Sequence, residues 1–191
     1  MKILTFADLH DGVTKEESDI LKALEFDACI VLGDIERDSL IKIKDICGDI
    51  PIIGVEGNHD ERDILENLNI KNVHNKIVEL NGYKFLGFGG CLPYKPINGV
   101  YLHSQLECSV LLGYAPEADV LISHNSPFGI HDNQENMAHT GYKGIVEYMD
   151  RVKPKLCLHG HQHVNEITEL DDGTLVVGVY GARIIDLSTL D

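Results

Sequence analysis

Short apolar runs recur along the chain with the spacing of an alternating α/β fold. Five of them have the length of buried strands and cover residues 3–7, 28–32, 52–55, 120–122 and 156–158. Segments with helical periodicity lie between these runs, at residues 16–24, 40–46, 64–68 and 145–152. This alternation predicts a β-sheet with helices packed on its faces.

Two segments predict antiparallel strands. Residues 76–80 and 83–88 flank Asn81-Gly82, a pair that supplies the positive φ angles of a type I′ hairpin turn. The tail at 164–187 repeats the pattern, with Asp171-Asp172-Gly173 between two β-rich runs. Long irregular loops are predicted at residues 89–103 and 125–140.

The composition is that of a globular chain. With 191 residues, 43% of them hydrophobic and 25% charged, we expect a single packed domain over residues 1–191. The odd set of five cysteines, dispersed and without a Cys-x-x-Cys pair, opposes a disulfide framework and favours the reducing cytoplasm. No apolar run approaches the roughly 20 residues of a membrane span, and Asp8 interrupts the first run, so neither a membrane helix nor a signal peptide is expected.

The charge balance restricts the partners. Lys and Arg number 16 against 31 Asp and Glu, which gives a formal net charge of -15. A field of that sign repels duplex nucleic acid and anionic membranes. Phosphate chemistry on this chain would therefore require metal ions or local screening.

Metal-ligating residue types follow successive strands. The motifs, in chain order, are Asp8-Leu9-His10, Gly33-Asp34, Gly57-Asn58-His59-Asp60, Ser123-His124-Asn125 and Gly160-His161-Gln162-His163. Each begins where an apolar run ends, which is the edge of an α/β sheet where ligand sites form. Carboxylate and imidazole donors without thiolates suit Mn²⁺, Fe²⁺, Zn²⁺ or Ni²⁺. In an extended segment, the i, i+2 spacing of Asp8 with His10 and of His161 with His163 would put each pair on one side.

Taken in this order, the motifs resemble the signature of the calcineurin-like metallophosphoesterase superfamily. Its pattern of Asp-x-His, Gly-Asp, Gly-Asn-His-Asp/Glu, His and Gly-His-x-His is matched from Asp8 to His163. The segment 123–129, together with Lys153-Pro154-Lys155, is similar to the small, uncapped Icc-like phosphoesterases. The resemblance implies a four-layer α/β/β/α sandwich of mixed sheets with a two-metal centre at the strand ends.

The resemblance also implies which residues hold the ions. Seven side chains would form the centre in two sets joined by a shared carboxylate: Asp8, His10 and His163 for one ion, Asn58, His124 and His161 for the other, and Asp34 bridging both. The cofactors expected are two divalent ions, Mn²⁺ first, with Fe²⁺, Zn²⁺ or Ni²⁺ as alternatives.

The chemistry expected of such a centre is in-line attack on phosphorus by a hydroxide that bridges two divalent metals. His59, beside Asn58 but assigned to neither ion, is the predicted group that assists the leaving oxygen. Asp60 is predicted either to orient that imidazole or to place a favourable charge at a helix N-terminus. Asn58, His59 and His139 are the predicted substrate contacts, with a solvated loop position as the alternative for His139.

The predicted activity is therefore a phosphodiesterase acting on a small phosphoester such as a nucleotide. The alternatives are a phosphomonoesterase or a nuclease with the same centre, or a scaffold that keeps the fold without catalysis. The net charge of -15 opposes a nuclease, and the complete ligand set opposes a scaffold.

Overall fold

Two β-sheets form the centre of the computed structural model, which describes residues 1–94 and 101–190. The described strands of the first sheet are β1 (Lys2–Ala7), β2 (Ala28–Val31), β3 (Ile52–Gly54), β4 (Lys71–Asn72) and β11 (Gly181–Asp186). Their order is β11-β1-β2-β3-β4, in which β1 to β4 run parallel and β11 pairs antiparallel with β1.

The second sheet consists of strands that follow one another along the chain from residue 77 to residue 178. Its described strands are β5 (Ile77–Leu80), β6 (Tyr83–Phe88), β7 (Val120–Ser123), β8 (Leu156–His159), β9 (Ile167–Glu169) and β10 (Leu175–Gly178). Their order is β5-β6-β7-β8-β10-β9, with a parallel centre and an antiparallel strand at each edge. Both sheets are therefore mixed.

Helices cover the outer face of each sheet. Their bounds are α1 (Lys15–Lys22), α2 (Arg37–Cys47), α3 (Ile64–Asn67), α4 (Gln105–Gly113) and α5 (Lys143–Val152). Residues of α2 and α3 pack with Leu4 and Phe6 of β1 in one core, and residues of α4 and α5 pack with Leu121 and Cys157 of the second sheet in another. A third core, containing Ile30 and Phe85, lies between the sheets. The layers are thus α/β/β/α, as predicted.

Burial on both faces explains why the strands are continuous apolar runs. Along β1, Ile3 and Ala7 belong to the core between the sheets, whereas Leu4 and Phe6 belong to the core beneath the helices. A strand whose side chains alternate between two buried cores has no side facing solvent, so it lacks the alternation of a half-exposed strand. The prediction of five buried strands is confirmed by β1, β2, β3, β7 and β8.

The predicted turns and most of the helices are found in the structure. The hairpin of β5 and β6 turns at Asn81 and Gly82, with φ values of 49° and 84°, and β9 pairs antiparallel with β10 around residues 171–173, as predicted. The four predicted helices correspond to α1, α2, α3 and α5. Helix α4 was not predicted, although Ser104 and Glu107 form a capping box at its start.

The two predicted loops differ in how much of them is described. Within the first loop, residues 95–100 lie outside the described residues, and Cys91 pairs with Leu102 as an isolated bridge. The second loop contains a short 3₁₀ turn at Met137–His139. Across the described chain, the structure contains no helix with the length and apolar character needed to span a membrane.

Candidate metal centre

The sequence motifs meet at one edge of the two sheets. In the first sheet Asp8 follows β1, Asp34 follows β2 and Asn58 follows β3. In the second sheet His124 follows β7 and His161 follows β8. Within each sheet these strands run parallel to one another, so their carboxyl ends form the edge at which α/β folds bind ligands.

The first donor cluster consists of Asp8, His10 and His163. One ligand atom from each residue lies within 4.8 Å of the others. The Nε2 atoms of His10 and His163 are 3.3 Å apart, and Oδ1 of Asp8 lies 3.7 Å from Nε2 of His163. Asp8 is buried whereas both histidines are exposed. The cluster therefore brings two nitrogens and one oxygen together at the surface.

The second donor cluster consists of Asp34, His124 and His161, which meet the same 4.8 Å limit and are all buried. Nε2 of His124 lies 3.5 Å from Oδ2 of Asp34 and 3.1 Å from Oδ1 of Asn58, so the amide adds a further oxygen. Gly57 leaves the space for these donors. A Cβ at that position would lie 2.1 Å from Oδ1 of Asp34 and 2.6 Å from Cε1 of His124.

The two clusters are directly connected through the Gly-His-x-His motif. The backbone N–H of His161, in the second cluster, donates to Oδ2 of Asp8, in the first, at 2.7 Å. His161 and His163 belong to different clusters, whereas an extended segment would put both on one side. Their φ values of 65° and 54° lie in the left-handed region, so the segment is not extended and the side-by-side arrangement expected of a strand does not apply.

Three observations show that these side chains fit divalent cations. Oδ1 of Asp8 is buried and, among the described residues, has no hydrogen-bond partner, which is rare for a carboxylate oxygen. Nδ1–H of His124 donates to the Leu32 carbonyl at 2.8 Å, so the neutral ring keeps its lone pair on Nε2. Nε2–H of His161 donates to the Ala138 carbonyl at 2.6 Å, which leaves the lone pair on Nδ1. The role of all seven residues as ligands stays a prediction.

The electrostatics of the clusters favour added positive charge. Burial raises the pKa of Asp8 to about 6, against the opposing effect of a positive His124. Burial lowers the pKa of His124, but the carboxylates of Asp34 and Asp8 outweigh it and raise that pKa to about 9. Burial also opposes ionisation of Asp34, yet His124 and the His59 N–H hold its pKa well below the usual range. Two buried carboxylates that draw a proton onto a histidine form a setting suited to a cation.

His59 lies beside the second cluster without joining it. Its backbone N–H donates to Oδ1 of Asp34 at 2.8 Å, and its side chain is exposed. The ring lines a cavity of about 620 Å³ that also contacts His10 and Asp34. His59 is therefore placed where a group bound at the clusters would extend, and its part in catalysis stays a prediction.

Asp60 holds two of the motif loops together. Its carboxylate accepts backbone N–H groups from Asp34 at 3.0 Å, Ile35 at 2.9 Å and Gly57 at 2.7 Å. No hydrogen bond joins it to the His59 ring among the described residues. The contacts support a structural role for Asp60 at the second and third strand ends, rather than orientation of the imidazole.

His139 lies at the edge of the centre. Its ring stacks on that of His161, with centroids 4.9 Å apart, and lies 6.4 Å from the ring of His163. The side-chain amide of Gln162 donates to the His139 carbonyl, to Oδ1 of Asn125 and to Oγ of Ser126. The loop that carries His139 is thereby tied to the Gly-His-x-His turn.

Two tyrosines contact predicted ligands and were missed by the sequence analysis. The Tyr94 hydroxyl accepts from Nδ2 of Asn58 at 3.2 Å, and the Tyr180 ring stacks on His163 at a centroid distance of 5.0 Å. Neither residue lies in a metal motif. Only the folded chain brings them to the strand ends, so spacing along the sequence contains no signal for them.

Fold and donor set together place the chain among α/β/β/α proteins with a candidate metal centre at the strand ends. The family model of the calcineurin-like phosphoesterase superfamily domain matches residues 1–179, so the chain belongs to that superfamily. The family expected from the motifs is thereby confirmed. Membership in this superfamily implies a phosphoesterase that uses divalent ions.

Similar proteins extend the comparison. An uncharacterized protein from Haemophilus influenzae is 24% identical, and the match covers 76% of either chain. The phosphopantetheinyl hydrolase of Mycobacterium tuberculosis is 14% identical, with a TM-score of 0.64 over 94% of this chain and 89% of that one. Vps29 of Entamoeba histolytica, solved with Zn²⁺, is 13% identical, with a TM-score of 0.51 over 95% and 74%. At these identities the structural likeness concerns the fold.

Proposed function

We propose that the chain is a metal-dependent phosphodiesterase that acts on a small phosphoester, such as a nucleotide, in the cytoplasm. The observation that carries the proposal is the pair of donor clusters beside a cavity lined by the exposed His59. The two clusters are connected by the hydrogen bond from the His161 N–H to Asp8. Two divalent ions, Mn²⁺ in the first assay, would supply a hydroxide nucleophile and neutralise charge on the phosphoryl oxygens.

The chain's own residues supply orientation and a proton. Asp34 is held by the His59 N–H on one oxygen, while its other oxygen lies beside His124, so its position is set before a substrate arrives. The His59 ring faces the cavity and, when protonated, can donate to the oxygen that leaves phosphorus. His139, stacked on His161, is the proposed contact to the phosphate from the opposite loop.

The charges around the cavity favour a diester over a monoester. Besides Asp34 and Asp60, the described lining of the cavity includes three more carboxylates, those of Glu36, Asp38 and Glu61. Arg37 is the only permanently cationic residue among the described lining, and it is paired with Glu61 at 2.6 Å. A diester carries one negative charge at neutral pH whereas a monoester approaches two, so this lining repels the monoester more strongly.

Hydrolysis of bis-p-nitrophenyl phosphate by metal-stripped protein refilled with Mn²⁺ tests the proposal. We expect turnover that Asp34→Asn reduces by at least about 100-fold, because the second donor cluster loses its carboxylate. Asp38→Asn is the matched control, since Asp38 is a carboxylate of the same cavity that belongs to neither donor cluster, and the variant should still hydrolyse the diester. Efficient turnover of p-nitrophenyl phosphate with no diester cleavage would instead establish a monoesterase.

Leaving groups of different basicity test His59. If His59 protonates the leaving oxygen, His59→Gln should slow an alkyl ester by about 100-fold and a p-nitrophenyl ester far less, because p-nitrophenolate leaves without a proton. An equal loss with both esters would assign His59 to binding. Two bound ions per chain without turnover of any ester would favour the scaffold alternative.

A further inference from the structure

The Asn58 side chain can coordinate a cation only through its amide oxygen, Oδ1. Its Oδ1 lies 3.1 Å from Nε2 of His124, within the second donor cluster. A rotation of the amide by half a turn would exchange Oδ1 for the Nδ2 group, which has no lone pair to offer and points two N–H bonds at the cation. With Oδ1 turned toward the cluster, the amide therefore needs a neighbour that accepts a hydrogen bond from Nδ2.

Tyr94 is that neighbour among the described residues. Its hydroxyl accepts from Nδ2 of Asn58 at 3.2 Å, on the side of the amide away from His124. We propose that Tyr94 is a positioning residue, whose hydroxyl holds the Asn58 amide with Oδ1 toward the second donor cluster. The proposal rests on the metal centre of the proposed function.

The chain around Tyr94 is anchored to the loop that carries Asn58. The Gly90 N–H donates to the Glu56 carbonyl at 2.8 Å, so the strand end at β6 and the loop after β3 are bonded at their backbones. Tyr101, on the other side of residues 95–100, accepts the Asp63 N–H at 2.8 Å with its hydroxyl. Two tyrosine hydroxyls thus contact the segment 58–63, and of these two it is that of Tyr94 that contacts a predicted metal ligand.

Calorimetric titration of the metal-free protein with Mn²⁺ tests this role without an activity assay. The native chain should bind two ions, and Tyr94→Phe should weaken one of the two by about 10- to 100-fold, as outer contacts to metal ligands do. Tyr114→Phe is the matched control, because that tyrosine is 90% exposed at the end of α4. The thermal midpoint of the metal-free variants should stay within a few degrees of native, which separates loss of orientation from loss of the fold.

The same substitution in the Asn58→Asp variant tests whether the effect of Tyr94 depends on the orientation of the amide. In Asn58→Asp both ends of the side chain are oxygens, so orientation no longer matters and adding Tyr94→Phe should cost little further affinity. Unchanged affinity for both ions in Tyr94→Phe, or an equal loss in the Asn58→Asp background, would overturn the proposal. Two ions bound without hydrolysis would refute the proposed function and leave the role of Tyr94 intact.

Discussion

His159 is a completely buried histidine whose neutral form is required by its neighbours. Nδ1–H donates to the Gly160 carbonyl at 2.9 Å, and Nε2 accepts from Nδ1–H of His131 at 2.8 Å. Because the Gly160 carbonyl can only accept, it fixes the direction of these hydrogen bonds, and Nε2 of His131 in turn accepts from the Thr168 hydroxyl at 2.9 Å. A second proton on His159 would face the N–H of His131. Burial, with a contribution from His131, lowers the pKa of His159 to about 3.

The sign of the effect follows from where the proton binds. The unfolded chain takes up a proton on this imidazole as the pH falls through its ordinary value of about 6.5, whereas the folded chain does so only near pH 3. The stability that neutral His159 contributes is therefore complete above about pH 6.5 and is lost progressively as the pH falls toward 3. Between pH 7 and pH 5 the loss amounts to about 2 kcal/mol.

Urea unfolding of the metal-free protein at pH 7 and pH 5 measures this loss. Other buried groups shift too, including His124 to about 9, so the informative quantity is the difference between native and His159→Gln at each pH. The glutamine keeps a donor and an acceptor but does not titrate. Native should lose about 2 kcal/mol more than the variant, roughly 1 M in the urea midpoint. Parallel pH dependences would show that His159 takes up its proton equally well when folded, and the reasoning from burial would fail.

Three substitutions separate the centre from the scaffold. Gly57→Ala places a Cβ 2.1 Å from Oδ1 of Asp34 and 2.6 Å from the His124 ring, so Mn²⁺ affinity by calorimetry should fall at least about 10-fold. Asp60→Asn replaces a carboxylate that accepts three backbone N–H groups, and urea unfolding should show a loss of about 2–4 kcal/mol. Gly82→Ala introduces a side chain at a φ of 84° in open space, so it should cost about 1 kcal/mol of stability and leave ester hydrolysis unchanged.

The layers of the fold could be predicted because burial on two sides leaves a strong mark on sequence. A strand such as β2, residues Ala28–Val31, is apolar at each position and is buried at each position. The hairpin at Asn81 and Gly82 is equally legible, since few residue pairs adopt its turn. Helix α4 was missed because its apolar residues, among them Leu106 and Val110, lie on the exposed side as well as the buried one, which blurs the helical period.

The candidate site was predictable in its residue types but not in its contacts. Donors that follow successive strands are visible in sequence, and the structure brings them into two clusters. Which donor belongs to which cluster depends on the backbone turns that carry the donors. The residues that hydrogen-bond to the donors come from loops distant in sequence. Tyr94 reaches Asn58 across 36 positions, and the Ala138 carbonyl reaches His161 across 23. Such contacts follow from the packing of loops against each other, which local spacing does not encode.

The backbone at the clusters is strained, and the strain has a chemical reason. Asp8, Asp34, His161 and His163 have φ values of 53°, 53°, 65° and 54°, a region that costs a residue with a side chain about 1–2 kcal/mol. Glycine would relax each position but would remove a predicted metal donor. Hydrogen bonds that involve no cation offset this conformational cost. They include the bond from the His161 N–H to Asp8 and the three bonds that Asp60 accepts from backbone N–H groups. Because these bonds lie within the protein, the positions of the predicted donors do not depend on a bound ion, so an ion could bind there without reorganising the backbone.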